Sequence, residues 1–158
     1  MRAITLWQPW AHAVIHLGKD VENRPRSLGY VGEIAIHAGL GLDDEWAFDR
    51  IHAITGRWLI NHDFWPERGC IIGMVEIISW HRLQEVKASP WAFGTWCALL
   101  RNPRPIERPV LVRGYQGTWT VPPDVEQSVL AQLGRTASRA DCDCPGCKAD
   151  VGCFRGKP

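Results

Sequence analysis

CIIGMVEIISW, residues 70–80, is the most strand-like stretch of this 158-residue chain. Aliphatic residues occupy both of its alternating faces, and Glu76 is its single charge. A run that is apolar on both faces reads as a strand inside a sheet covered on each side, because a half-exposed strand would alternate apolar with polar residues. Glu76 shares a face with Ile72, Met74 and Ile78, while Val75 and Ile77 fill the other. Its carboxylate is therefore expected to be buried and to require a cation, since an unpaired charge in an apolar interior is strongly unfavourable.

The flanking segments build a sheet around this strand. AITL, at residues 3–6, reads as an opening strand, and QPWAHAVIHLG as a helix with Pro9 in its first turn, Gly18 just past its end, and Trp10, Val14 and Leu17 on one face. DVENR and GEIAIHAG follow as strands, the second with Ile34 and Ile36 on one face and Glu33, Ala35 and His37 on the other. LDDEWAFDRIHAITG reads as a helix capped by Asp43 or Asp44, striped by Trp46, Ile51 and Ile54, and stopped by Gly56. TWCALL and RPVLVRG read as two further strands, GYQGTWTV as a turn and strand, and DVEQSVLAQLG as a last helix ending at Gly134. Five or six short strands with two or three helices among them predict an α+β fold, a small mixed β-barrel with flanking helices rather than a doubly wound sheet. Apolar patterning stops after Gly134, which divides the chain into a domain over 1–134 and a Cys-rich tail over 135–158.

Composition narrows the function classes. A hydrophobic fraction of 46% with 22% charged residues is that of a soluble globular chain, and no apolar run approaches the ~20 residues of a membrane span. The N-terminal segment is interrupted by Gln8, Pro9, His12 and His16 and lacks a secretory pattern, so a cytoplasmic location and no membrane partner are expected. A net charge of +1 argues against a broad basic surface for long nucleic acids. One local excess, LLRNPRPIERPVLVRG, sets Arg101, Arg104, Arg108 and Arg113 against Glu107, as a solubilising connection or as a phosphate-contacting edge. Nine Trp against four Phe and two Tyr is an unusual ratio; some must sit in the core, which is the default for any one of them, and a surplus near a polar cleft would suit stacking on a base.

Two groups of metal-binding residue types stand out. Cys142, Cys144, Cys147 and Cys153 lie in DCDCPGCKADVGC, where CPGC resembles half of a zinc knuckle; they are candidate zinc ligands, the alternative being an oxidisable tail. Cys70 and Cys97 fall in apolar strands and read as inert core residues. His12 and His16 have the four-residue spacing of helical metal ligands, but Ala13 stands where a zinc protease carries its Glu, and the pair reads as surface histidines.

LGKDVENRPR, residues 17–26, supplies the cations that Glu76 calls for. Strand alternation puts Asp20, Glu22 and Arg24 on one face and leaves Lys19 on the preceding turn. Should this strand neighbour residues 70–80, Lys19, Glu22, Arg24 and Glu76 would line one cleft. The alternatives are a solvated edge, whose ion pairs are worth ~0–1 kcal/mol, and a structural ion-pair network.

These residues also carry a resemblance. LWQPWA followed by Lys19-x-x-Glu22-x-Arg24 resembles the G-x-K-x-x-E-x-R signature of ASCH domains, a branch of the PUA-like superfamily, and GEIAIHAG, IIGMVEII, WAFGTWCALLRNPRPI and PVLVRGYQGTW follow in the order seen in bacterial and phage members, over residues 1–121. The resemblance implies a small β-barrel whose cleft is lined by the motif residues and binds RNA, single-stranded nucleic acid or a modified nucleoside. In that cleft Lys19 and Arg24 would contact phosphate or base acceptors, and Glu22 or Glu76 would accept a base amino hydrogen. Trp7, Trp10 or Trp119 would stack, with Gln8 entering at the Gln8-Pro9-Trp10 corner. Some members resemble hydrolases, either ribonucleases or an amidohydrolase of N-acetylated cytidine. In the amidohydrolase a Thr proposed as nucleophile occupies the position of Glu22. Hydrolysis here would instead need Glu22 or Glu76 as general base, with Lys19 stabilising the oxyanion.

Overall fold

The computed structural model describes residues 1–60, 67–86 and 88–137. The described elements run β1 (Arg2–Gln8), α1 (Trp10–His16), β2 (Val21–Arg24), β3 (Gly32–Leu42), α2 (Glu45–Thr55), β4 (Cys70–Arg82), β5 (Trp96–Leu111), β6 (Thr118–Thr120) and α3 (Pro123–Ala137), with a 3₁₀ turn at Leu83–Glu85. Six strands form one mixed sheet in the order β2-β5-β4-β3-β1-β6. β1 and β3 are parallel, joined through α1 and β2, and every other pair is antiparallel. This is the expected α+β class, but the ladder is open: β2 and β6 are its edges. Curvature nevertheless brings β2 back to β1, where Arg24 Nη2 donates to the Thr5 carbonyl at 2.8 Å, so a side chain spans the gap that backbone pairing leaves.

The buried residues alternate across this sheet. Ile4, Ile34, Ile36, Ile72 and Val75 pack with Ala11, Val14 and Ile15 of α1 on one side. On the other, Ala3, Ala35, Ile71 and Met74 pack against Val125, Val129 and Leu133 of α3. Both faces of the central strands are thus covered, which is why β4 reads as continuously apolar over its first half. Trp119 and the Val112–Gly114 segment bury His37, placed on the more polar face of its strand by alternation, to 2% exposure. A third cluster joins Trp10, Ala13 and Val21 to Ala47, Ile51, Trp91 and Cys97.

Three local readings are corrected. TWCALL and RPVLVRG are one strand, β5, because the register shifts against β4 between Ile71 and Gly73 and between Met74 and Glu76, with a positive φ of 52° at Asn102, let the chain bend through its prolines without leaving the ladder. Gly134 does not end the last helix, which continues to Ala137; a glycine stops a helix only where it takes the left-handed conformation, as Gly56 does after α2 with φ 71°. Asp44 holds the N-cap position of α2 without a side-chain capping bond, and Asp43 is turned elsewhere.

Gly73 marks a close backbone crossing between β4 and β5. A Cβ at this position would lie 2.6 Å from the Arg104 carbonyl oxygen and 2.8 Å from Ile15 Cδ1. Gly73→Val is expected to destabilise the fold by about 1–3 kcal/mol through overpacking, read as a lower denaturation midpoint with an unchanged slope.

Candidate functional site

The short β2 strand and the turn before it carry three charges that meet at low solvent exposure. Gly18, with φ 73°, ends the α1 segment, and the Lys19 amide then donates to the Ala13 carbonyl at 3.1 Å. The Lys19 side chain folds inward, with its residue only 2% exposed, and Nζ donates to the Val21 carbonyl and to Glu22 Oε2, the latter at 3.2 Å. Arg24 Nε donates to Glu22 Oε1 at 2.9 Å. Glu22 is therefore held between two cations, one oxygen to each. Burial pushes the Lys19 amine below the ordinary lysine range, and the Glu22 carboxylate opposes that shift.

Aromatic walls enclose this cluster. Lys19 Nζ lies 5.5 Å from the Trp10 ring centroid, and the Trp10 indole N–H donates to Asp43 Oδ2 at 2.6 Å. Phe93 stands 5.5 Å from Trp10 and 5.1 Å, edge to face, from Trp46. Asn23 latches the loop that carries Phe93: its Nδ2 donates to the Trp91 carbonyl and its Oδ1 accepts the Phe93 amide, both at 2.9 Å. On the opposite side Trp7 is 57% exposed and lies flat on Gly41, where a Cβ would come within 2.7 Å of its ring. Together Thr5, Trp7, Trp10, Lys19, Glu22, Arg24, Asp43 and Phe93 line a cleft of about 280 Å³. A second groove of about 490 Å³ shares Thr5, Trp7, Arg24 and Pro25 with it and runs to Tyr115.

Five of the residues anticipated from the sequence converge here: Trp7, Trp10, Lys19, Glu22 and Arg24. Three do not. Glu76 is half-buried on β4 and takes a two-pronged bond from Arg101, at 2.8 and 2.7 Å, with Asn102 at 3.3 Å. The reason is strand order: β5 lies between β2 and β4, so the cation opposite Glu76 is a β5 arginine and not the 17–26 cluster. The same pairing occupies part of the basic stretch, for Arg104 bonds Glu33. Trp119 is buried beneath the α3 face, its indole donating to Thr5 Oγ1 at 3.1 Å. Gln8 is fully buried and away from the cleft: Oε1 accepts the His12 amide at 3.0 Å and Nε2 donates to the Glu67 carbonyl at 2.9 Å. Asn23, Asp43 and Phe93 belong to the site and were not anticipated. Asp43 had a local explanation as a helix cap, and Phe93 is distant in sequence from Trp10, Asn23 and Trp46, which it meets at the cleft. Cys142, Cys144, Cys147 and Cys153 lie outside the described residues.

His12 and His16 are not isolated surface groups. Glu67, just before β4, receives both, with Oε2 at 3.0 Å from His12 Nδ1 and Oε1 at 3.3 Å from His16 Nε2. Burial alone would raise the Glu67 pKa, but the two imidazole contacts outweigh it and bring it down to about 2.

No family model matches the chain, and no curated protein matches it in sequence. Among solved structures the fold is similar to the crystal structure of ASCH from Zymomonas mobilis, with TM-score 0.51 and 17% identity over 82% of this chain and 93% of that one. Two single-substitution variants of the same Zymomonas protein match with TM-score 0.50 over 82% of this chain, at 16% and 17% identity. The similarity is one of fold. Among the described residues no helix is long and apolar enough to cross a membrane.

Removing Glu22 would leave the buried Lys19 amine without its carboxylate partner. Glu22→Ala is expected to destabilise the protein by about 3–5 kcal/mol in a denaturant titration, whereas Lys19→Met combined with Glu22→Gln, which removes both charges, recovers a large part of that loss. Glu76→Gln, by contrast, should leave the midpoint almost unchanged, because the Arg101 pair is open to solvent.

Proposed function

We propose, on the ASCH-like fold that the chain shares with these structures, that the cleft recognises a nucleobase or nucleoside unit, free or within single-stranded RNA. The observation that carries this reading is the Glu22 carboxylate fixed between Lys19 and Arg24 on the floor of a cleft with aromatic walls. At about 280 Å³ the cleft lies just below the ~300–1,000 Å³ typical of ligand pockets, a size for one base or nucleoside and not for a duplex. Trp7 offers an exposed ring as a stacking platform. Each Glu22 oxygen already accepts one donor and retains a lone pair for a base amino group. Arg24 has guanidinium donors beyond those bonded to Glu22 and Thr5, which suit a phosphate or a base acceptor. The adjoining groove passes from Arg24 to Tyr115 and offers a path for a neighbouring nucleotide. A modest net charge fits a ligand read in a pocket more than a long phosphate backbone.

A second reading, hydrolysis in the same cleft, is favoured by Lys19. A lysine whose pKa burial lowers, bonded to a carboxylate beside an open cleft, has the features of a group that moves a proton or stabilises an oxyanion. Glu22 would be its acidic partner, because Glu76 faces Arg101 elsewhere.

The two readings separate in one set of measurements. Fluorescence anisotropy with labelled single-stranded RNA, and calorimetry with nucleosides, should show saturable binding that Trp7→Ala weakens about 5- to 150-fold, the equivalent of ~1–3 kcal/mol of stacking. Arg24→Lys should weaken it as well. Affinity unchanged in both variants would refute recognition in this cleft. Turnover of acetylcytidine or RNA that Lys19→Met abolishes would make the cleft an active site.

A further inference from the structure

On the far side of α1 from the cleft, three metal-binding side chains meet that the nucleobase reading does not use. The coordinating atoms of His12, His16 and Glu67 all lie within 4.8 Å of one another. From this arrangement we infer that His12, His16 and Glu67 form a binding site for a divalent transition-metal cation of the zinc class.

The ligand set and its geometry support the assignment. Two imidazole nitrogens and one carboxylate are a recognised three-ligand set for zinc that leaves a coordination position for water. With metal–ligand bonds near 2.0–2.1 Å, neighbouring donors in a tetrahedral site are about 3.3–3.4 Å apart. Glu67 presents Oε2 at 3.0 Å from His12 Nδ1 and Oε1 at 3.3 Å from His16 Nε2, so a rotation that turns one carboxylate oxygen toward both imidazoles would close the set on a cation. Each neutral imidazole would carry its proton on the other ring nitrogen, leaving a lone pair toward the metal. The His16 side chain is 32% exposed, which gives the ion and its water a route from solvent.

The site is also held in place from behind. Gln8 is fully buried, and its amide grips both ligand-bearing segments, accepting the His12 amide and donating to the Glu67 carbonyl. These two bonds fix α1 relative to the residue that leads into β4, so the three donors are arranged before any ion arrives. Magnesium and calcium prefer all-oxygen surroundings, so the imidazole pair selects for zinc, cobalt, nickel or copper. Ala13 at the position after His12 is buried and carries no base, so that position does not supply the glutamate of a zinc protease.

The tail cysteines are a separate candidate for zinc, so the test uses the full chain with Cys142, Cys144, Cys147 and Cys153 all changed to Ser. Calorimetry with zinc is expected to give one ion per chain and a raised Tm, with magnesium without effect. His16→Ala and Glu67→Gln should each lower zinc affinity at least ~100-fold and remove the Tm rise, since losing a group that only hydrogen-bonds a ligand already costs ~10–100-fold. His16 is exposed, so the metal-free His16→Ala protein should keep its fold and its own Tm. Absence of zinc binding to the four-serine protein, or binding that neither ligand substitution weakens, would overturn the assignment.

Discussion

Glu22 between Lys19 and Arg24 is the contact around which the cleft is organised. A carboxylate and an ammonium group this far from solvent are tolerated only when each meets its partner at hydrogen-bond distance, so β2 has little freedom in where it lies. Lys19 satisfies Val21 at the start of the strand, and Arg24 satisfies Thr5 at its end. Among the described residues β2 pairs with β5 alone, at one margin of the ladder, yet Arg24 reaches β1 near the other. One ion-paired cluster thus holds the curvature of an open sheet and forms the floor of the site. Asn23, between Glu22 and Arg24, turns the other way and holds the loop that brings Phe93 over the cleft.

α1 connects the parts. Its inward residues Ala11, Val14 and Ile15 belong to the core against the sheet, and Trp10 and Ala13 to the cluster shared with α2. Trp10 also roofs Lys19 and is fixed through its indole by Asp43, the residue just ahead of the α2 cap. The polar side of the same helix carries His12 and His16 toward Glu67. Seven residues therefore set the orientation of the cleft and of the histidine pair together. Gln8, one step before the helix, fixes its first turn from a fully buried position, and that role removes it from the ligand surface where its place in the Gln8-Pro9-Trp10 corner had put it.

How far the sequence could be read depended on the range of each interaction. The β4 strand, the stop of α2 at Gly56 and the Lys19-x-x-Glu22-x-Arg24 cluster were legible because their causes are local: alternation, a left-handed glycine, and charges a few residues apart. Glu76 was misplaced for a different reason. Its apolar neighbours correctly signalled a sheet interior, but the bulges between β4 and β5 disrupt strict alternation, and Glu76 emerges half-buried beside Arg101. Two of those register shifts face the proline-rich half of β5, and the third, between Ile77 and Ser79, faces Leu99 and Leu100. Glu67, Asp43 and Phe93 were likewise unreadable as partners, since each acts across tens of residues.

The sequence by itself determined the element types, the α+β class and the charged triad, because backbone propensity, side-chain period and short-range charge spacing act within a few residues of one another. The tertiary structure alone decided which strand lies beside which, and so which carboxylate meets which cation: Glu22 with Lys19 and Arg24, Glu76 with Arg101, Glu67 with the two histidines. The physical reason is that a buried or half-buried charge specifies that it needs a partner without specifying where in the chain that partner comes from. Strand order and register make that choice.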